Sequence, residues 1–118
     1  MSSKKEHVNR AAQNERFASS LADPYWDWAV TAVYYAGVHY VEAYFAALRP
    51  PIHSGTHGAR DSDIRRDSIL NPAWRTYKQM KEDSEDARYE PHIPFDANNL
   101  AKQWTRLNDL KKVVQHHL

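Results

Sequence analysis

Between Tyr25 and Leu48 the chain reads YWDWAVTAVYYAGVHYVEAYFAAL, and this stretch constrains the fold more than any other. Trp26, Val30, Val33, Val38, Val41, Phe45 and Leu48 supply an apolar side chain on nearly every turn. Trp28, Ala32, Tyr35, Tyr40 and Tyr44 fill the faces between them. A surface helix carries one apolar stripe, whereas a helix apolar nearly all round is buried among others. Asp23 reads as its N-cap and Pro24 as its first residue, where a missing N–H costs nothing. Arg49-Pro50-Pro51 ends it, because proline neither continues a helix nor tolerates α geometry before it. The segment is long enough to span a bilayer. Asp27, His39 and Glu42 interrupt it, however, and its tyrosines are spread along it rather than gathered at its ends, so it reads as a core helix and not a membrane span.

A chain of 118 residues can close one domain around such a helix, and residues 1–118 read as that single domain. The formal net charge of +1 excludes a strongly basic nucleic-acid module but leaves room for a local basic patch. With no cysteine there is no disulfide, thiolate nucleophile or cysteine zinc site. The start, MSSKKEHVNR, lacks the apolar run of a signal peptide, so a cytoplasmic protein is expected. Three glycines and almost no strand-like alternation point to an all-α fold.

The remaining segments supply the helices that cover the central one. Residues 1–6 are polar and expected to be disordered. His7 to Leu21 carries a modest apolar stripe through Val8, Ala11, Ala12, Phe17, Ala18 and Leu21. The short link through Ala22-Asp23-Pro24 sets this helix antiparallel to the next. Thr56 caps a short helix through His57, Arg60, Ile64 and Ile69. Asn71-Pro72 opens another, through Trp74, Tyr77 and Met80 to about Tyr89, whose acids between Glu82 and Asp86 read as a solvated face. After Pro91 and Pro94, Asp96 caps a last helix with Leu100, Trp104, Leu107, Leu110, Val113 and Val114 on one stripe. Lys111, Lys112, His116 and His117 suit the negative end of its dipole. The sum is an up-and-down bundle of four long helices and one short one.

Three constellations carry chemistry. His53-Ser-Gly-Thr-His57 places two histidines four apart, a spacing that can hold zinc on a helix, but the residues between them favour a loop and no metalloprotease carboxylate is present. No metal site or other cofactor is expected. The two histidines read either as polar loop residues with no role or, with Arg60, Arg65 and Arg66, as an anion-binding patch for phosphates. Arg88-Tyr-Glu-Pro-His92 pairs a fixed cation with a titratable ring, which suits metal-independent phosphodiester chemistry; Arg88 paired to Glu85 or nearby acids is the structural alternative. Asp27, Tyr34, His39 and Glu42 are polar groups on the core helix that need partners. His39 and Glu42 can meet on one face, and Tyr34, Tyr35 or His39 can line a cleft shared with residues 53–60.

The blocks WAVTAVYYAGVHYVEAYFA, IHSGTHGAR and SEDARYEPH resemble the HEPN superfamily of small prokaryotic helical domains, over a span from Trp26 to the last helix. The resemblance implies a four- or five-helix up-and-down bundle, commonly dimeric. It implies one of two activities: a metal-independent endoribonuclease of a toxin–antitoxin or defence system, or a non-catalytic module that binds RNA, a nucleotide or a protein partner such as an antitoxin or a nucleotidyltransferase. The family's nuclease signature is an arginine, four to six residues, then a histidine. Arg88 and His92 lie in the matching region with three residues between them, and the catalytic roles fall on this pair. The resemblance carries no role onto His53, His57 and Arg60; on their own chemistry these three, with Arg65 and Tyr34, are the residues expected against RNA phosphates. The aromatic content of 12 % also favours a homodimer, since a bundle of this size does not easily bury so many rings.

Overall fold

The computed structural model describes residues 2–118, which form five α-helices. These are α1 (Lys4–Ser20), α2 (Trp26–Ala47), α3 (His57–Arg66), α4 (Trp74–Tyr89) and α5 (Ala97–Val114), with single 3-10 turns at Asn71–Ala73 and Gln115–His117. No strand occurs among the described residues, and none of their helices is long and apolar enough to cross a membrane. The architecture is the expected all-α bundle: α1, α4 and α5 pack around α2, while short α3 lies against α4.

Capping explains where the helices begin. Thr56 Oγ1 accepts from the Ala59 amide at 3.0 Å, and Asp96 Oδ1 accepts from the Asn98 and Asn99 amides, as their positions in the sequence indicate. Three starts differ from expectation. Asn71 lies in the 3-10 turn before α4 with its side chain donating to the Arg65 carbonyl, and the cap position of α4 falls to Ala73, which makes no side-chain capping bond. The Ser3 hydroxyl accepts from the Glu6 amide while the Glu6 carboxylate accepts from the Ser3 amide. This reciprocal box starts α1 at Lys4, so residues 4–6 are helical rather than disordered. Asp23 does not cap α2. It lies in a turn closed by the Tyr25 amide on the Ala22 carbonyl, and the cap position falls to Tyr25, which makes no side-chain capping bond.

Helix α2 is the core, with Tyr34, Val30, Val33, Val41 and Phe45 fully buried. Of the apolar stripe on α1, Ala11 and Ala18 are buried and Phe17 is left exposed. At Gly37 the neighbouring helices come so close that a Cβ would stand 3.2 Å from Met80 Cε and 3.3 Å from Leu110 Cδ2. Fully buried Gln103 of α5 donates its amide to the main-chain carbonyls of Val30 on α2 (3.3 Å) and Met80 on α4 (3.1 Å). The expectation that α2 is enclosed on every side fails along one line. Trp28 is 55 % exposed, and Tyr35 and His39, seven and four residues further on, keep part of their surfaces in water. These positions share one face of a helix, so α2 leaves a strip open between its neighbours.

Candidate functional site

Along that open strip the structure gathers polar groups from four segments. Arg60, on α3, reaches back to Glu42 of α2 with its Nε 2.7 Å from Oε1, both side chains being largely buried. Glu42 therefore pairs with Arg60 and not with His39, as the spacing along α2 had suggested. One turn earlier on α3, His57 Nδ1 lies 3.1 Å from Arg60 Nη1 and 3.3 Å from the Tyr34 hydroxyl. A guanidinium has no acceptor, so His57 Nδ1 must accept and the ring proton sits on Nε2. The Tyr34 hydroxyl also points its donor at this ring, leaving its oxygen to accept from Tyr77, 3.2 Å away. The bonds thus run in one direction, from Tyr77 through Tyr34 to His57, and they fix the tautomer.

Partial desolvation of its ring first, and then the cations of Arg60, Lys81 and Arg88, lower the His57 pKa below the ordinary value, although the residue as a whole is exposed. At neutral pH it is an uncharged ring presenting an Nε2–H. That makes it a hydrogen-bond donor to an anionic oxygen rather than a proton acceptor. Burial likewise raises the pKa of Tyr34 and of Tyr77, so both stay protonated. For Arg60, burial opposes the charge, but Tyr77 and Glu42 outweigh it and raise its pKa.

The cations divide into paired and unpaired. Arg60 is answered by Glu42, and Lys81 Nζ by Asp61 Oδ2 at 2.6 Å. Arg88 has no carboxylate partner among the described residues. It bonds instead to the Tyr35 hydroxyl and, at 3.1 Å, to the Ser84 carbonyl, and its guanidinium lies over the rings of Tyr35 and Tyr89 at 5.3 and 5.1 Å. The alternative pairing of Arg88 with Glu85 is therefore not made. Asp61 Oδ1 is buried without a hydrogen-bond partner, which leaves one acceptor open beside this group.

A second histidine pair borders the same strip. His7 of α1 and His39 of α2 place their Nδ1 atoms 3.0 Å apart. Their ring centroids are 5.3 Å apart, longer by about two ring radii, so the nitrogens point head-on along one line. That is a linear N–H···N bond between two uncharged rings. Burial is the main cause that lowers both pKa values, His39 to about 4. One ring of such a pair must carry its proton on Nδ1 and so expose an Nε2 lone pair.

The sequence-selected residues are dispersed unevenly. His57, Arg60 and Arg88 come together with Tyr34, but Tyr34 is fully buried and reaches a ligand only through His57. His53 is exposed in the loop before α3, close enough to His7 to help lower its pKa. Arg65 turns away, stacking on Trp74 at 5.2 Å. His92 stands in solvent after α4, its Nδ1 3.7 Å from Glu90 Oε2, and shares no contact with Arg88. The His53–His57 spacing does not build a chelate: His57 Nδ1 is occupied, and no group of three or more His, Asp or Glu among the described residues is arranged to hold a metal ion. His7, Tyr77, Lys81 and Ser84 were not singled out from the sequence. His7 was legible in principle, being in helical phase with buried Ala11 and Ala18. No family model matches the chain, and neither does any curated protein or solved structure.

Proposed function

We propose that this chain is a HEPN-like RNA-binding protein that cleaves RNA without a metal, holding a phosphate on the open strip of α2. The observation that carries this reading is a neutral His57, presenting Nε2–H, with Arg88 near enough to help lower its pKa and left without a carboxylate. Together they offer a directional donor and a planar cation, the combination that grips a phosphodiester and stabilises charge building on it. The attacking group is the RNA's own 2′-hydroxyl: its oxygen bonds to phosphorus as the P–O5′ bond breaks, leaving a 2′,3′-cyclic phosphate on one product. Once the departing oxygen takes a proton from solvent, the other product carries a 5′-hydroxyl. The tautomer of His57 removes it as the base. His92, brought in from solvent, takes the proton.

A non-catalytic module is the second reading, and the exposure of His92 favours it, since nothing orients that ring towards Arg88. The exposed aromatics Phe17, Tyr25, Trp28 and Tyr89 support the proposal that the working form is a homodimer, and a monomer by light scattering at micromolar concentration overturns that. The functional test is a single assay: labelled single-stranded RNA, with and without EDTA, against wild type, Arg88→Ala, Arg88→Lys, His57→Ala and His92→Ala. The proposal expects cleavage that persists in EDTA, a larger loss for Arg88→Ala than for Arg88→Lys, and weakened RNA binding for His57→Ala. Binding without cleavage selects the module. Equal cleavage by wild type and His92→Ala removes His92 from the chemistry.

A further inference from the structure

At the end of the bundle where α1 begins and α2 and α5 finish, a cleft of about 650 Å³ is lined by Lys4, Lys5, Arg49, His116, His117 and Leu118, among others. That volume lies in the range of ligand sites, roughly 300–1,000 Å³. Lys4, Lys5 and Arg49 are exposed, and none of the three takes part in an ion pair among the described residues. No aspartate or glutamate lines the cleft; Glu6, the nearest acid in sequence, is held in the Ser3 capping box. Three cations with no acidic side chain lining the cleft leave it positive.

Helix electrostatics account for part of this set and not the rest. Arg49 follows the end of α2 and His116 and His117 follow α5, where a helix dipole favours positive charge. Lys4 and Lys5 stand at the opposite, positive end of α1, where the dipole disfavours them. The α1 dipole therefore does not account for these two lysines; the negative ends of α2 and α5 border the same cleft, and an anion there is drawn to all three cations.

We infer that this cleft is a second anion site and that it holds the phosphate backbone of an RNA strand passing to the α2 strip. Naming RNA as the anion rests on the function proposed above; the site itself rests on its own charges. Lys4 is about 4.5 Å along α1 from His7, and Ala46 about 10 Å along α2 from His39, so the cleft adjoins the His7–His39 end of the strip. It lies open to solvent rather than enclosed.

The test compares wild type with the triple variant Lys4→Gln/Lys5→Gln/Arg49→Gln, and separately with Arg88→Ala, by anisotropy of a labelled single-stranded RNA across salt concentrations. Tripolyphosphate serves as a small-phosphate probe. The inference expects the triple variant to keep its helical circular dichroism and melting temperature, to bind RNA at least about tenfold more weakly at 0.1 M salt, and to flatten the salt slope by about 2, as loss of three single-strand phosphate contacts requires. An unchanged affinity and slope in the triple variant, with binding lost in Arg88→Ala, overturns the cleft and leaves the proposed function standing. A wild type that binds tripolyphosphate in the cleft but not RNA overturns the RNA assignment at both sites. Binding of neither probe overturns the cleft as an anion site of any kind.

Discussion

Acid should loosen this protein through the bond between His7 and His39. The pair joins α1 to α2, and its hydrogen bond requires at least one bare Nδ1. Burial is the largest cause that holds the His39 pKa at about 4 against the ordinary 6.5; the nearby charges of His7, Arg10 and Arg60 act in the same direction. The folded state therefore binds fewer protons than the unfolded chain between these values. Its contribution is fully present above pH 6.5 and is lost as pH falls from there towards 4. Between pH 7.5 and 5 the full effect is about 2 kcal/mol. Because His39 keeps part of its surface in water, solvent screening reduces this to about 1 kcal/mol. His7, lowered in the same direction but also held up by Glu42, adds to the loss. Urea unfolding at the two pH values measures it, and His39→Gln, which keeps a polar partner for His7 but does not titrate, should lose roughly half as much. Equal losses in wild type and His39→Gln would refute the assignment of this acid sensitivity to the pair.

Val38 is 5 % exposed in the middle of α2, so Val38→Asp buries an unpaired carboxylate at several kcal/mol and should abolish cooperative melting; retention of the native circular dichroism and melting temperature counts against the packing described. Gly37→Leu should destabilise by about 1–3 kcal/mol, because Met80 and Leu110 already stand against the missing Cβ; an unchanged urea midpoint excludes the close approach. Ser3→Ala breaks the capping box of α1 and should cost about 1 kcal/mol, read as a lowered urea midpoint, with no loss if α1 begins at His7.

The order of helices was legible because the relevant signals are local. Caps at Thr56 and Asp96, prolines at 50, 51, 91 and 94, and the stripe from Leu100 to Val114 act within a few residues of themselves. Ser3-x-x-Glu6 was equally local and marks the true start of α1. The open strip was not legible, because a ring at Trp28 has the same composition whether another helix covers it or water does. The site was half visible for a related reason. Its histidines and arginines stand out by type, but what each one does depends on a partner 18 to 53 residues away, such as Glu42 for Arg60 or Tyr35 for Arg88. Spacing along α2 suggested that His39 would meet Glu42. The tertiary fold instead gives each a partner from another helix, His7 and Arg60.

Gln103 has a consequence for motion. A single amide that donates to a main-chain carbonyl on each of two helices acts as a detent: sliding α2 past α4 by an ångström strains both bonds, and the next equivalent carbonyls lie about a 5.4 Å turn away. The contacts that matter on the far side of those helices, Tyr34 with Tyr77 and Tyr35 with Arg88, are set by the same relative position. A residue with no view of solvent thus indexes the outer face, and removing its amide should blur the alignment of the cations and rings there before it unfolds anything.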